Sequence, residues 1–492
     1  MHGQHPEMII NLIPIMPAPA VLHRGADREG SALPGSAGVR PGGSMPPGFT
    51  GFRTPRRAMR RSGRTNAVDT STCPPRLFPI ISGDAMTTAS FQTTVLSGLL
   101  AIAAFGSTEV VLAQAAPQGA GAPAAAPSAT AVTPAAVAAH YAVLVHANYE
   151  DTLNAARTMQ AAIKAFTARP SAEALAEARK TWLAAREFYG QTEAFRFYGG
   201  PIDDDKGPEG QLNAWPMDES YVDSVEGKPD SGLVNDRKFA ITKKNLAAQN
   251  ERGGEENVAT GWHAIEFFLW GQDLSETGPG DRNFEDFVDG KGRNADRRRQ
   301  YLNVVTDLLI DDLASLVKAW DPKTPNNYRA KFVKGGQESV RKMLVGLGSL
   351  SRGELAGERL EVALNSQDQE DEHSCFSDNT HRDAVTNALG IRNVWLGEYR
   401  RADGSLVQGA SLRDLVAAKD ASLAERTTQQ IAASVKAAEG IQEPFDQEII
   451  GGKDAPGRLR IQKTIDSLTQ QSKDLVEAAN AIGITKLTLV QP

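Results

Sequence analysis

At 492 residues the chain has room for two or three domains, and it carries a net charge of −7. The charge is uneven: residues 1–115 hold ten Arg, no Lys and six acidic side chains, or +4, which leaves −11 for the remainder. An acidic body with no basic patch interleaved with aromatics excludes nucleic acid as a partner, and two cysteines, of which only Cys375 lies beyond the N-terminal quarter, exclude a disulfide framework.

Residues 1–85 are rich in Gly, Pro and Arg and show neither helical nor strand periodicity. Such a stretch buries too little apolar surface to offset its ordering entropy, so it reads as a disordered extension or as a start assigned too early. Met45, Met59 and Met86 are alternative starts, and Met86 fits best. An apolar run at 95–105 follows it, and Ala113-Gln114-Ala115 has the small-x-small form of a signal-peptidase site. The run is too short to span a membrane. One feature does not fit: from Met86 the segment before the run has no Lys or Arg, and the basic run at 56–61 lies too far upstream. The expectation is a signal peptide at 86–115 and export to the periplasm, with outer-membrane association left open.

After an Ala/Pro linker at 116–132 the pattern becomes helical. Thr133-Pro134 has an N-cap residue followed by Pro at the first helical position. The apolar positions Tyr141, Leu144, Val145, Tyr149, Leu153, Ile163 and Phe166 carry this helix to the residues before Pro170. Ser171 caps a second helix, expected to run to Gly199-Gly200-Pro201. A long loop at 201–233 precedes a helix at about 235–249. The stretch 261–273 comes next, and then a polar, glycine-rich connection. Ala295–Trp320 is strongly amphipathic, 327–350 is a further helix, and others lie at about 383–400, 411–438 and 456–483. No run of alternating strands occurs. The reading is all-α, with two helical-bundle-type halves at 133–290 and 291–492.

The chemistry concentrates in two places. In Gly261-Trp262-His263-Ala264-Ile265-Glu266, His263 and Glu266 stand three apart on one helix face. The residues around them, Phe267, Phe268, Leu269 and Trp270 included, are apolar nearly all round, which marks a buried helix. A buried imidazole and carboxylate need partners. They form either a structural hydrogen bond tying the helix to its neighbour or half of a metal site, since both ligand types suit iron or zinc. The second place is 371–383, where His373 and His381 lie among Glu372, Cys375, Asp378 and Asp383. Asp378 and His381 repeat the three-residue spacing in reverse, and facing helices that each give a carboxylate and a histidine build di-iron bundles. The competing reading is an exposed acidic loop. By spacing alone Glu193 and Arg196 read as a charge pair on a solvated face, and Cys375 reads as a small hydrophobe. His140 and His146 read as partly exposed or satisfied by hydrogen bonds.

The motif G-x-H-x-x-E with an aromatic run and W-G-Q-D, and the string D-E-H-S-C-F-S-D-N-T-H at 371–381, resemble the imelysin-like family, which is also classed among metallopeptidases. The iron-regulated protein A branch is the most similar, and the patches at 195–203 and 212–216 extend the likeness to about residues 134–490. The resemblance implies two four-helix-bundle-type domains with the motif between them. It also implies a bound metal ion, iron first and zinc second, or an iron-bearing small molecule. The implied ligands are His263, Glu266, His373, Asp378, His381 and Glu193, with Arg196, Cys375 and Glu372 as ligand-binding neighbours. Other components of an iron-uptake system are the implied partners.

The alternative of a zinc peptidase meets an obstacle in the sequence. In H-E-x-x-H enzymes the residue after the first histidine is the general base, and here it is Ala264, with Phe267 where the second histidine belongs. A third alternative is a non-catalytic structural or interaction protein. No P-loop, G-x-S-x-G or C-x-x-C occurs, and haem has no attachment motif.

Overall fold

The computed structural model describes residues 132–275 and 277–490. The expected extension, the signal segment and all but the last residue of the linker lie outside them. Helix α1 (Pro134–Ala168) opens as its sequence predicts: Thr133 Oγ1 accepts from Ala136 N at 3.2 Å, and Pro134 takes the first position. α2 (Ala172–Thr192) starts under the Ser171 hydroxyl, which accepts from Ala174 N, and packs along α1. It stops at Thr192, short of the expected Gly199, because Glu193–Phe195 tightens into a 3-10 turn.

The long connection to residue 260 holds three short helices, α3 (Glu209–Asn213), α4 (Glu219–Val222) and α5 (Lys243–Gln249). The helix expected from 235 therefore begins eight residues late. α6 (Gly261–Trp270) has all ten residues buried, as an all-round apolar sequence requires. α7 (Ala295–Trp320) has the expected bounds and packs on α1 and α6, although the boundary drawn near 290 assigned it to the second half.

Beyond α7 the expected helix at 327–350 divides at Gly335-Gly336 into α8 (Tyr328–Lys334) and α9 (Gln337–Ser349). α9 runs on through a π-helical segment, Leu350–Glu361, into α10 (Val362–Ser366). After the loop at 367–379 come α11 (Thr380–Leu396) and a hairpin of β1 (Glu398–Arg400) and β2 (Leu406–Gln408), antiparallel with Tyr399 opposite Val407. The hairpin was not expected: three-residue strands are too short to show alternation. α12 (Leu412–Ala417), α13 (Ala421–Ala438), α14 (Asp446–Ile449) and α15 (Pro456–Ala481) complete the order.

The described residues are thus mostly helical. α1, α2, α6 and α7 pack together, and α11, α13, α15 and the α9–π segment form a second group. The two groups meet along α2 and α11. A Cβ on Gly390 of α11 would lie 2.4 Å from the Gln191 carbonyl oxygen, so only glycine permits this approach. Trp182, Trp262, Trp320 and Trp395 are fully buried, each removing roughly 150–250 Å² from water. No helix among the described residues is long and apolar enough to cross a membrane.

Candidate functional site

The first residue of the G-x-H-x-x-E motif has a steric task. Gly261 has φ +84°, and a Cβ there would sit 2.4 Å from the Leu212 carbonyl oxygen. Glycine therefore lets the start of α6 rest on the backbone of α3, beside Asn213. One turn on, His263 Nδ1 and Glu266 Oε2 are 2.8 Å apart, both buried. Glu266 Oε1 accepts from Ser377 N at 3.0 Å and from Ser377 Oγ at 2.6 Å. Burial pushes the Glu266 carboxyl up to about 8, against the Ser377 hydrogen bonds that draw it down. Glu266 thus stands behind His263 and ties α6 to the turn Cys375–Ser377.

His373 lies next to His263, with ring centroids 4.8 Å apart and the rings nearly perpendicular. Its hydrogen bonds close a circuit. Arg186 Nη1 donates to Asn213 Oδ1 at 2.7 Å, which turns the Asn213 amide nitrogen toward His373 Nε2 at 3.3 Å. The guanidinium can only donate, so the amide orientation is fixed, and His373 Nε2 must accept. The proton of His373 is then on Nδ1, donated to Asp383 Oδ2 at 2.7 Å, while Asp383 Oδ1 accepts from Arg186 Nη2 at 2.9 Å. Ser374 Oγ also donates to Asp383 at 2.6 Å. Burial would raise the Asp383 carboxyl, but Arg186 and His373 outweigh it and hold the group far below the usual carboxylate range. Burial, with Arg186 near His263 and Arg359 near His373, pushes both imidazoles well below their ordinary value, so both are neutral. The Arg186 guanidinium lies over the faces of Tyr189, Trp182 and Trp262, 5.3–5.7 Å from the ring centroids.

Arg186 Nε and Trp262 Nε1 are buried without partners but can only donate, and one further unpartnered atom here is able to accept. His263 Nε2 is buried and makes no hydrogen bond. With its proton on Nδ1, donated to Glu266 Oε2, His263 presents a bare Nε2, the arrangement of a metal-ligating histidine. The His373–Asp383 pair repeats it, with the Asn213 amide on Nε2. The residues therefore fit a cation, or an ion-bearing ligand that brings its own donors. His263 and His373 would hold it, and Glu266 and Asp383 would orient them.

The other expected site residues fall elsewhere. Glu193 is buried, not on a solvated face, and is held by Arg196 Nη1 at 2.6 Å and Arg359 Nη2 at 2.7 Å. Burial opposes its ionisation, but the two guanidiniums prevail and hold it at about 2. Arg196 also reaches Glu209 at 2.9 Å, and Arg359 reaches Glu354 at 2.8 Å. Glu193 and Arg196 are thus committed to each other and to their neighbours. Glu354 and Arg359 come from the π-helical segment, a geometry found often at functional sites. His381 donates from Nδ1 to the Asp378 carbonyl at 2.9 Å. Cys375 packs half-buried against the core, and burial pushes its thiol well above the ordinary value, as expected of a small hydrophobe. Asp378 and Glu372 join Asp273 and Asp446 in a separate group. His140 bonds the Gly397 carbonyl at 2.8 Å, and His146 faces Glu150.

The model of the imelysin family (peptidase M75) matches residues 145–475. The chain belongs to the imelysin family. Iron-regulated protein A of Synechococcus elongatus is 25% identical over 343 residues, which cover 67% of this chain and 83% of that protein. A crystal structure described as an iron-regulated protein A precursor, from Parabacteroides distasonis, aligns with a TM-score of 0.56 at 18% identity, over 72% of this chain and 97% of that one. An imelysin-like protein from Psychrobacter arcticum aligns with a TM-score of 0.51 at 14% identity, over 72% and 98%. At these identities the two structures establish the shared fold.

Sequence reasoning did not assign Arg186, Asn213, Asp383 or Ser377 a role. Arg186 had a signal: it shares a helical face with Trp182 and Tyr189, at i+4 and i+7, where an arginine cannot be solvated. Asn213 lies inside the family-like patch at 212–216. Ser377 had none, because its task depends on contact across 111 positions of chain.

Proposed function

We propose that this imelysin binds iron, as the ion or in an iron-bearing ligand, at His263 and His373, and serves metal acquisition in the periplasm. The observation that carries the reading is the free, buried Nε2 of His263. A structural hydrogen bond to Glu266 accounts for Nδ1, whereas the unpartnered Nε2 costs roughly 1–3 kcal/mol that a bound cation would recover. The name of the similar Synechococcus protein supports iron over other metals. The signal-like segment at 95–115 supports export. With His263 2% exposed and Glu266 not exposed, the site leaves no room for a polypeptide substrate, which disfavours the zinc-peptidase alternative.

The test is metal analysis of protein recovered from its native compartment, with titration of stripped wild type and His263→Ala. Iron uptake by wild type that falls steeply in His263→Ala is expected, with little loss of stability in the stripped variant. Stripped wild type that takes up no iron, or a variant that is strongly destabilised but binds as before, leaves only the structural role. For export, N-terminal sequencing should place the start of the mature chain near Ala116.

A further inference from the structure

Four carboxylates from three separate segments converge beside the histidine site. Asp273 follows α6, Glu372 and Asp378 lie in the loop before α11, and Asp446 opens α14. One oxygen each of Asp273, Asp378 and Asp446 lies within 4.8 Å of the others, and all three residues are at most 3% exposed. Glu372, 1% exposed, faces Asp446, Asp378 and Asp273. Both oxygens of Glu372, Asp378 and Asp446, and Oδ2 of Asp273, are buried without any donor; only Asp273 Oδ1 has one, Ser275 N at 2.9 Å. Among the described residues no Lys, Arg or His pairs with these unpartnered oxygens. Seven buried acceptor atoms gathered in one group are satisfied either by protons shared between carboxyls, as between Glu372 and Asp446 and between Asp273 and Asp378, or by a bound cation that displaces those protons.

We infer that Asp273, Asp378, Asp446 and Glu372 form a second cation site, distinct from the histidine site, that takes a hard divalent ion of the calcium class. The donors are all carboxylate oxygens, the choice of Ca²⁺, Mg²⁺ or Mn²⁺ over softer metals. Three oxygens no more than 4.8 Å apart share a centre no more than about 2.8 Å from each, so a small inward shift brings them to the roughly 2.3–2.6 Å of Ca²⁺–oxygen bonds. Four carboxylates, each able to bind through one or two oxygens, match the high and flexible coordination of Ca²⁺ better than the strict octahedron of Mg²⁺. A cavity of about 590 Å³ lined by Asp273, Asp446, Asp368, Gln369 and Glu370 opens beside the group and gives the ion a path from solvent. The bound ion would fasten α14 and the end of α6 to the loop that carries Ser377. The inference does not depend on whether His263 takes iron.

The test uses the full chain, stripped with EDTA and then titrated with Ca²⁺, Mg²⁺ and Mn²⁺ by calorimetry and followed in thermal melts. One equivalent of Ca²⁺ should bind and raise the melting temperature. Asp446→Asn and Glu372→Gln should each weaken that binding at least about tenfold, with the melting temperature of the stripped variants preserved. Asp378 has φ +54°, a conformation Asn tolerates, so Asp378→Asn gives a third variant expected to fold. Stripped wild type that neither binds Ca²⁺ at millimolar concentration nor gains stability overturns the inference. So does Ca²⁺ binding unchanged in the variants. Uptake of Mg²⁺ or Mn²⁺ alone, with none of Ca²⁺, overturns the choice of ion.

Discussion

Beside His373, Asp383 holds Arg186 at 2.9 Å, and Glu193 draws Arg196 and Arg359 to 2.6 and 2.7 Å. One residue back along the chain, Glu372 is equally buried, yet it faces only Asp446, Asp378 and Asp273. Burial and a facing carboxylate push Asp378 up to about 8, whereas Glu193 stays at about 2. The same side-chain type in the same degree of burial therefore meets two fates, decided by whether a guanidinium is within reach. The first neighbourhood carries its own counter-charge and is complete when the chain folds. The second leaves its charge to be supplied from outside.

The widest separation should appear when one acid is neutralised on each side. Asp383→Asn leaves Arg186 buried without its anion and should cost roughly 3–5 kcal/mol in urea denaturation of stripped protein. Asp446→Asn removes one of several like charges and should cost nothing, or gain on the order of 1 kcal/mol. Equal losses in the two variants would erase the contrast.

Acid comes next. Glu193 sits at about 2 against an ordinary 4.5, so its ion pairs contribute in full above pH 4.5 and are lost as the pH falls through 2. That limb is worth roughly 3 kcal/mol, and Glu193→Gln should flatten it in denaturation curves taken between pH 2 and 5. A slope unchanged in the variant would mean that the guanidiniums do not hold Glu193.

A smaller effect is expected behind the ligand. Glu266→Gln keeps the size of the group that positions His263 and should weaken iron binding about 10–100-fold by calorimetry. An effect confined to stability would return Glu266 to a purely structural role. The smallest should come from Arg382→Ala, which breaks the half-exposed bridge to Glu187 at 2.8 Å and should cost at most about 1 kcal/mol.

Periodicity made the long helices legible. α1 and α7 begin and end where caps, proline and apolar spacing put them, and α6 is buried because its sequence has no polar face. The π-helical segment, α14 and the hairpin escaped, since short elements are set by tertiary contacts rather than by local pattern. In the site, the H-x-x-E spacing foretold the pairing of His263 with Glu266 but not its sense: Glu266 stands behind the imidazole. The nearness of His373 followed from the resemblance. The separation of Asp378 from it did not, because a loop that places Ser377 and Asp378 in different clusters has no periodicity to read.

That loop is where the two clusters become one thermodynamic object. Glu372 and Asp378 face the carboxylates, while His373, Ser374 and Ser377, between them in the chain, bond Asn213, Asp383 and Glu266. An ion that draws Glu372 and Asp378 inward reshapes the backbone that presents Ser377 to Glu266. Were both clusters to take an ion, occupancy of either would alter affinity at the other by one common factor, because coupling free energy is reciprocal. Seven consecutive residues would thus let the supply of a common cation set how tightly a scarce one is held.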